Sequence, residues 1–377
     1  MAYQNVGTPR FIIDYFQWWR SLGILKASDM YNNGDILPVD EVAASNNVIG
    51  LSPEKQTIVY NLASTNDLGF NFLYYMAYNK GLDDINIAGL IGHNMATTGG
   101  TFTFSYMGSD DIRGVLKFNN DIQINCTKSG EFDQNMEAIH DGFSFCSVGG
   151  YTGNGILHND TDIHSASHSS PIKALEPNVR GLTLDNTNIV NGSVKIGSLV
   201  LGRYYDMPHS PDLNLTMSRE MDGAKRIRTR GGSDLVDHQY TKSPMWGDLA
   251  PWELNNPLTD NYNQIHSKIG RRTWDLSFSY LQDSDVFPDT SSLTNYETAG
   301  YSDFDDITEN TLLESNSFYS QVIHKTNGGQ LPFIFQPNKD NSNSDGFAIC
   351  KFDMNSFQYE QVANGIYNVK LKIREVW

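Results

Sequence analysis

His158, Asp160, Asp162 and His164 alternate along HNDTDIH, with His168 just beyond, and form the densest set of metal-ligating side chains in the sequence. Residues two apart share one face of a strand, so on a strand two imidazoles and two carboxylates would converge on a divalent cation. In a solvated polar loop the same residues need hold nothing. The spacing lacks the glycine turn and terminal glutamate of an EF-hand loop and the HExxH helix of a metalloprotease. Both readings stay open for this stretch.

A second acidic group, Asp303, Asp305, Asp306 and Glu309, could supply paired carboxylates for hydrolysis. No His or Arg lies near it and a helical pattern follows, so the simpler reading is favourable charge ahead of a helix N-terminus. The glycines of Gly149–Gly155 lack the Lys-Ser/Thr pair of a phosphate-binding loop, and there is no GxSxG and no GxGxxG after a strand. The motifs therefore give no enzyme signature, and no cofactor is expected.

The basic residues are more pointed. Arg226, Arg228 and Arg230 recur at two-residue spacing with Lys225 and Arg219 nearby, and Arg271-Arg272 follow later. On a strand they would make one guanidinium stripe. Arg forms bidentate pairs with carboxylates, so in an acidic protein the stripe points to an acidic surface of the same chain or of a neighbouring subunit. The whole chain carries 44 acidic and 27 basic side chains, a net charge of −17, which opposes a nucleic-acid partner.

The elements that must position these residues are mostly strands. The chain has 377 residues, 12% of them aromatic, with 32 Gly and many Asn, Asp, Ser and Thr, a composition of short strands and turns. From about Thr57, the runs TIVYNLA, FNFLYYMAYN, INIAGLIGHNM, TFTFSYMG and VKIGSLVLGRYYD are bounded by turn residues, as in a β-sandwich or jelly roll. Residues 125–190 read as long surface loops and edge strands. A second unit starts near Leu213, where LNLTMSREM, an Asp222-Gly223 turn and AKRIRTRGG suggest a hairpin. In RRTWDLSFSYL, Trp274, Leu276, Phe278 and Tyr280 should face one way, with polar residues on the other.

After an acidic stretch over residues 282–310, Leu312, Leu313, Phe318, Tyr319, Val322 and Ile323 take helical spacing, with Asn310 or Thr311 as a cap and Asn327-Gly328-Gly329 as the stop. LPFIFQP, FAICKFDM and YNVKLKIREVW read as closing strands. Three units are thus expected: 1–56, an aromatic docking segment; 57–212, a β-sandwich with long loops; and 213–377, a β-sandwich with one helix. In the first, Phe11, Tyr15, Phe16, Trp18 and Trp19 are too apolar to stay exposed and should bury either in the main body or against a neighbouring subunit.

Cys126, Cys146 and Cys350 are far apart and indicate neither a disulfide framework nor a zinc site. No run approaches a membrane span, and the first residues lack a signal-peptide pattern, so cytoplasmic assembly is expected.

Two groups of segments carry a family resemblance. Ile85–Gly99, an apolar strand followed by Gly92-His93-Asn94 and small residues, together with Gly197–Tyr205, resembles the jelly-roll modules of minor tail proteins of tailed bacteriophages. Arg272–Phe278, Thr326–Gly329, Leu331–Pro337 and Val369–Trp377 are similar in order to the sandwich-plus-helix domain of tail-tube and distal-tail proteins. The resemblance implies a jelly-roll-like sandwich followed by a tail-tube-like one. It also implies a structural virion protein at the tail tip, assembled as a ring with copies of itself and other tail proteins, and supporting host attachment. His93 and Asn94 would then satisfy buried backbone groups at a strand end.

In that setting the assembly contacts would come from Phe11, Tyr15, Phe16, Trp18 and Trp19 and from Arg226, Arg228 and Arg230 meeting acidic loops. The competing reading is a carbohydrate-binding receptor-recognition protein that presents Tyr204, Tyr205, Trp246 and Trp252 to a host surface glycan. A metal-dependent hydrolase built on His158 and His164 is a third.

Overall fold

A strand covered on both faces needs apolar side chains at consecutive positions, and Arg10–Asp14 (β1) supplies Phe11, Ile12 and Ile13. The computed structural model describes residues 6–23, 47–59, 67–69, 87–94, 97, 101–107, 113–117, 141–147, 174–180, 194–221, 225–237, 243–255, 270–289, 312, 315–341 and 343–377. Within them β1 leads directly into the helix Tyr15–Ser21 (α1). The strands of the first half are Thr57–Val59 (β2), Asp67–Gly69 (β3), Ile87–His93 (β4), Thr101–Met107 (β5), Arg113–Lys117 (β6), Gly142–Ser147 (β7), Ala174–Arg180 (β8), Val194–Ile196 (β9) and Ser198–Asp206 (β10). Those of the second half are Thr216–Glu220 (β11), Lys225–Arg228 (β12), Asp234–Asp237 (β13), Arg271–Gln282 (β14), Phe333–Gln336 (β15), Ala348–Phe352 (β16), Tyr359–Ala363 (β17) and Ile366–Glu375 (β18). A short helix, Asp283–Val286 (α2), follows β14, and a π-helix spans Tyr319–His324.

The chain is mainly β. Its principal sheet runs β11-β14-β18-β16-β15-β1-β10-β4-β7, with β17 also paired to β18. Every pairing in it is antiparallel. Strands from all three expected units belong to this one sheet, so the boundaries near 56 and 212 do not interrupt it. Separate smaller sheets are β3-β8-β5-β6, β2-β9 and β12-β13.

β1 holds the two halves together. It pairs with β10 through Arg10↔Asp206 to Asp14↔Gly202 and, on its other side, with β15 through Phe11↔Phe335 and Ile12↔Ile334. Phe11 and Ile13 enter the larger apolar core, while Ile12 enters the smaller one across the sheet. Phe11 meets Phe318, Phe333, Phe335 and Phe352 at ring-centroid distances of 5.2–6.0 Å. Gly202, on β10, faces the point where β1 bends into α1: a Cβ there would fall on the Ile13 carbonyl, so the close approach needs glycine.

This arrangement corrects one expectation. Phe11, Tyr15, Phe16, Trp18 and Trp19 are all buried within their own chain and are removed from the set of inter-subunit contacts. The physical reason is a vacancy in the middle of the sheet that only a strand with both faces apolar can fill. Helix α1 is then pinned to the π-helix by Lys325, whose buried Nζ donates to the Tyr15 hydroxyl at 2.8 Å and to Gln321 Oε1 at 2.6 Å. The same ammonium lies 4.8 Å from the Tyr15 ring and 5.7 Å from the Trp18 ring.

Other elements depart from the sequence reading in instructive ways. LNLTMSREM and AKRIRTRGG do not pair with each other: β11 joins β14, and β12 joins β13. In β14, Trp274, Leu276 and Phe278 are buried as the alternation requires, but Tyr280 is 77% exposed. A register shift between Phe278 and Leu281, with Tyr280 at φ 64°, turns that side chain out and puts Leu281 in the core instead. The helical pattern after residue 310 yields the π-helix, and its stop is as expected, with Asn327, Gly328 and Gly329 all at positive φ. The capping positions Asn310 and Thr311 lie outside the described residues. Residues 142–147, within a stretch read as loops and edge strands, form the edge strand β7. β18 ends at Glu375, two residues before Trp377.

Two predictions follow from the burial of β1. Phe11→Ala removes an aromatic side chain from a closed cluster and is expected to lower unfolding stability by about 3–5 kcal/mol, measured by denaturant titration. A loss under about 1 kcal/mol would contradict this packing. Asp14 caps α1, its Oδ1 accepting from Phe16 N at 3.2 Å and Leu201 N at 3.4 Å, with Gln17 also contributing to its carboxyl, while its buried Oδ2 makes no hydrogen bond within normal geometry among the described residues. Burial pushes this carboxyl up from 3.8 to about 7, against the pull of those backbone donors. The folded chain therefore holds the proton more tightly than the unfolded one, and the stability linked to it is lost as pH rises from about 4 through 7. Asp14→Asn should flatten this component, with a benefit over the native chain that grows between pH 5 and pH 8.5; an effect equal at both pH values would refute the assignment.

Candidate assembly surface

β11 is an edge strand whose sequence, TMSRE, alternates without an apolar face, and it pairs only with β14 among the described residues. Its side chains are bound toward the sheet interior on that side: Ser218 and Thr273 hydroxyls bond to each other, and Glu220 Oε2 accepts from Arg374 Nε at 2.6 Å. Burial together with the charge of Arg272, opposite it in the register, lowers the pKa of Arg219.

Beyond Met221 the chain enters an arm. Among the described residues β12 and β13 pair only with each other, through Lys225↔Asp237, Arg226↔Val236, Ile227↔Leu235 and Arg228↔Asp234. The connection is Thr229–Ser233, where Thr229 N donates to the Ser233 carbonyl at 2.8 Å and Gly232 N to the Thr229 carbonyl at 3.0 Å. Thr229 Oγ1 adds a bond to the same Ser233 carbonyl and accepts from Ser233 N. Gly232 sits at φ 85°, the left-handed conformation that makes this turn possible. All eight strand residues of the arm are exposed. A lone two-stranded hairpin is marginal in water unless something packs on it, and this one presents Ile227 and Leu235, 61% and 59% exposed, side by side.

The expected guanidinium stripe is thus resolved into parts. Arg226 and Arg228 share one face of β12, with Val236 and Asp234 opposite, and Arg230 lies in the turn. All three are exposed, and among the described residues none forms an ion pair. Arg272 is different. It is buried, bonded to Glu375 at 2.8 Å and to the carbonyls of Asp345 and Phe347, and serves its own fold. Arg271 lies over the Trp377 ring at 5.1 Å.

Four cationic side chains against Asp234 and Asp237 leave residues 225–237 at +2 in a chain of −17. Exposed apolar residues concentrate in the same part of the molecule. Of nine exposed large hydrophobics among the described residues, five are Met217, Met221, Ile227, Leu235 and Val236, on β11, just after it and on the arm. A patch that is apolar and basic together, beside a sheet edge that no described strand covers, has the composition of a contact surface. Sequence spacing found the arginines. It missed the apolar half because Ile227 and Leu235 read as ordinary strand residues until the hairpin is seen to have no further strand paired to it among the described residues.

The remaining candidates sit elsewhere. His158, Asp160, Asp162, His164, the carboxylates at 303–309 and the glycines of 149–155 lie outside the described residues. Among the described residues no group of three or more His, Cys, Asp or Glu is placed to hold a metal ion. Asn94 Oδ1 accepts from Lys195 N at 2.7 Å, the backbone role expected of it at a strand end. His93 is buried and shares a 2.9 Å hydrogen bond between Nε2 and Ser144 Oγ, and burial lowers its pKa to about 3. An imidazole held neutral and enclosed in this way is a packing group.

Tyr205, Trp246 and Trp252 are buried, with Trp246 against Trp252 at 5.0 Å, and Tyr204 is covered by the Arg10 guanidinium at 4.1 Å. These four are corrected from sugar platforms to parts of the protein's own packing. Cys350 is a buried free thiol whose pKa burial raises. No helix of the described residues is long and apolar enough to cross a membrane.

If the arm serves contacts outside its own fold, its arginines should be dispensable for folding. Replacing Arg226, Arg228 and Arg230 together by Ser is expected to leave stability within about 0.5 kcal/mol, the ordinary scale for exposed positions. A drop of 2 kcal/mol or more would place the arginines in an intramolecular network.

Comparison of the chain with family models, with curated proteins and with solved structures finds no match.

Proposed function

We propose that this chain is a structural protein of a bacteriophage virion, a minor or distal tail protein at the tail tip that assembles with copies of itself and supports host attachment. It is a scaffold, with its affinity directed at other protein surfaces. The observation that carries the reading is the exposed β12–β13 arm, a hairpin that among the described residues has no further strand paired to it and arginines without an ion pair, bearing adjacent apolar side chains on an acidic chain. Such an arm gains stability only when a second surface covers it.

The order of segments resembling tail proteins supports the tail setting, and a broad antiparallel sheet buried on both faces over its central strands suits a load-bearing subunit. With the aromatic N-terminal segment enclosed in its own fold, the Arg-bearing arm is the contact element left from the two candidates. Acidic segments of an adjacent copy are its natural complement.

The test is the oligomeric state of the full chain, by light scattering on a sizing column and by negative-stain microscopy. Closed rings are expected, and replacing residues 225–237 with a short Gly-Ser linker should give monomers with unchanged far-ultraviolet circular dichroism. A native chain that stays monomeric at the highest soluble concentration would overturn the reading.

A further inference from the structure

Exposed apolar residues occur toward both ends of β14. β11 runs antiparallel to β14 from Thr216↔Asp275 to Glu220↔Arg271, so the arm leaves the sheet beside the start of β14. Toward the far end of β14, nine residues beyond Arg271 and roughly 30 Å away at the rise of a strand, lies the exposed Tyr280. Val362, 43% exposed, sits in the register shift of β17 between Gln361 and Ala363. Both positions flank the same stretch of β18: Leu281 pairs with Tyr367 from one side, and Gln361 pairs with Tyr367 from the other. Two strand spacings, about 10 Å, separate them.

This end of the sheet is acidic. Asp283 and Asp285 lie on α2, Asp289 follows and Glu360 lies on β17, and Asp283, Asp289 and Glu360 are exposed. No Lys or Arg occurs in residues 280–289 or 357–369. Two bulges break the pairing here and turn Tyr280 and Val362 outward. The arm offers Ile227, Leu235 and a net positive charge; this end offers Tyr280, Val362 and four carboxylates. The two are complementary in both apolar character and sign, and they stand at opposite ends of β14.

Resting on the assembly reading above, we infer that the arm's partner is the α2–β17 end of the next copy of the same chain. The contact is head-to-tail: Ile227 and Leu235 cover Tyr280 and Val362, and Arg226, Arg228 and Arg230 face Asp283, Asp289 and Glu360. A heterologous contact of this kind uses two different patches per copy and closes into a ring when its rotation permits. Steering between a basic arm and an acidic end makes the association salt-sensitive, in spite of like net charges on the copies.

The test uses full-length chains. One variant reverses the arm (R226E/R228E/R230E) and another reverses the receiving end (D283K/E360K), with Glu360→Lys alone as a second version that leaves α2 untouched. Each is expected to keep the native circular dichroism and to weaken self-association at least tenfold in sedimentation velocity. Mixed one to one, the two reversed variants should recover assembly, because each reversed arm then meets a complementary end on the other chain. If the native chain assembles but reversing the receiving end changes nothing, or mixing recovers nothing, the head-to-tail contact is wrong while the assembly reading stands. If the native chain is monomeric, the assembly reading itself fails.

Discussion

The fold depends on the insertion of β1 between β10 and β15. Each of its neighbours comes from a different half of the chain, so the ladders that β1 makes on its two edges are what turn two sets of strands into one sheet. The strand can be central because Phe11, Ile12 and Ile13 give it an apolar face on both sides, and because Arg10 at its start is bound to Asp206 through two hydrogen bonds of 2.6 and 2.8 Å. Closure of the N-terminal strand is necessarily a long-range event, spanning close to two hundred residues to β10 and more than three hundred to β15. Pairing over such separations carries a larger loop-closure cost than local pairs such as β17–β18 and slows folding.

The same insertion explains the distribution of charge inside the protein. Asp14 ends β1 at the point where the backbone must turn into α1, and its carboxyl takes on two backbone donors there at the cost of burial. Lys325 answers from the other side of α1, with hydroxyl, amide and aromatic partners around its ammonium. Arg272 and Glu375 do the corresponding work at the C-terminal strand, where the guanidinium also satisfies two backbone carbonyls. Buried charges in this chain therefore mark junctions between elements distant in sequence, where removing one partner would strand the other.

Much of this could be read from local pattern. Alternation in RRTWDLSFSYL and YNVKLKIREVW marks half-buried strands, because β14 and β18 cover only one face with apolar side chains: Trp274, Leu276, Val369, Leu371 and Ile373 inward, Asp275, Lys370 and Lys372 outward. The stop at Asn327-Gly328-Gly329 was legible because positive φ selects those residues. What local pattern could not supply was partnership. FIID has no period that separates a core strand from a docking segment, since continuous apolarity fits both. The Asp222-Gly223 signal favours a hairpin, yet β11 finds a better-buried partner in β14, where Met217 lies opposite Trp274. Tyr280 has the right spacing for the core and is displaced by one extra residue, which no periodicity reports. At the candidate surface the arginines were visible, but a partner that is missing from behind a strand leaves no mark in its sequence.

The polarity of β14 gives these observations a common geometry. A basic, apolar arm at one end of a twelve-residue strand and an acidic, apolar end at the other make the subunit directional, although its net charge alone would keep copies apart. Repulsion between chains of −17 is spread over the surface and screened beyond about 8–10 Å in physiological salt, whereas apposed arginines and carboxylates act within hydrogen-bonding distance. In the head-to-tail contact inferred above, this difference in range would favour the orientation that brings the two ends together. In the assembly proposed above, the charges that oppose contact and those that select it would therefore operate at different ranges, which reconciles a net charge of −17 with association between like chains.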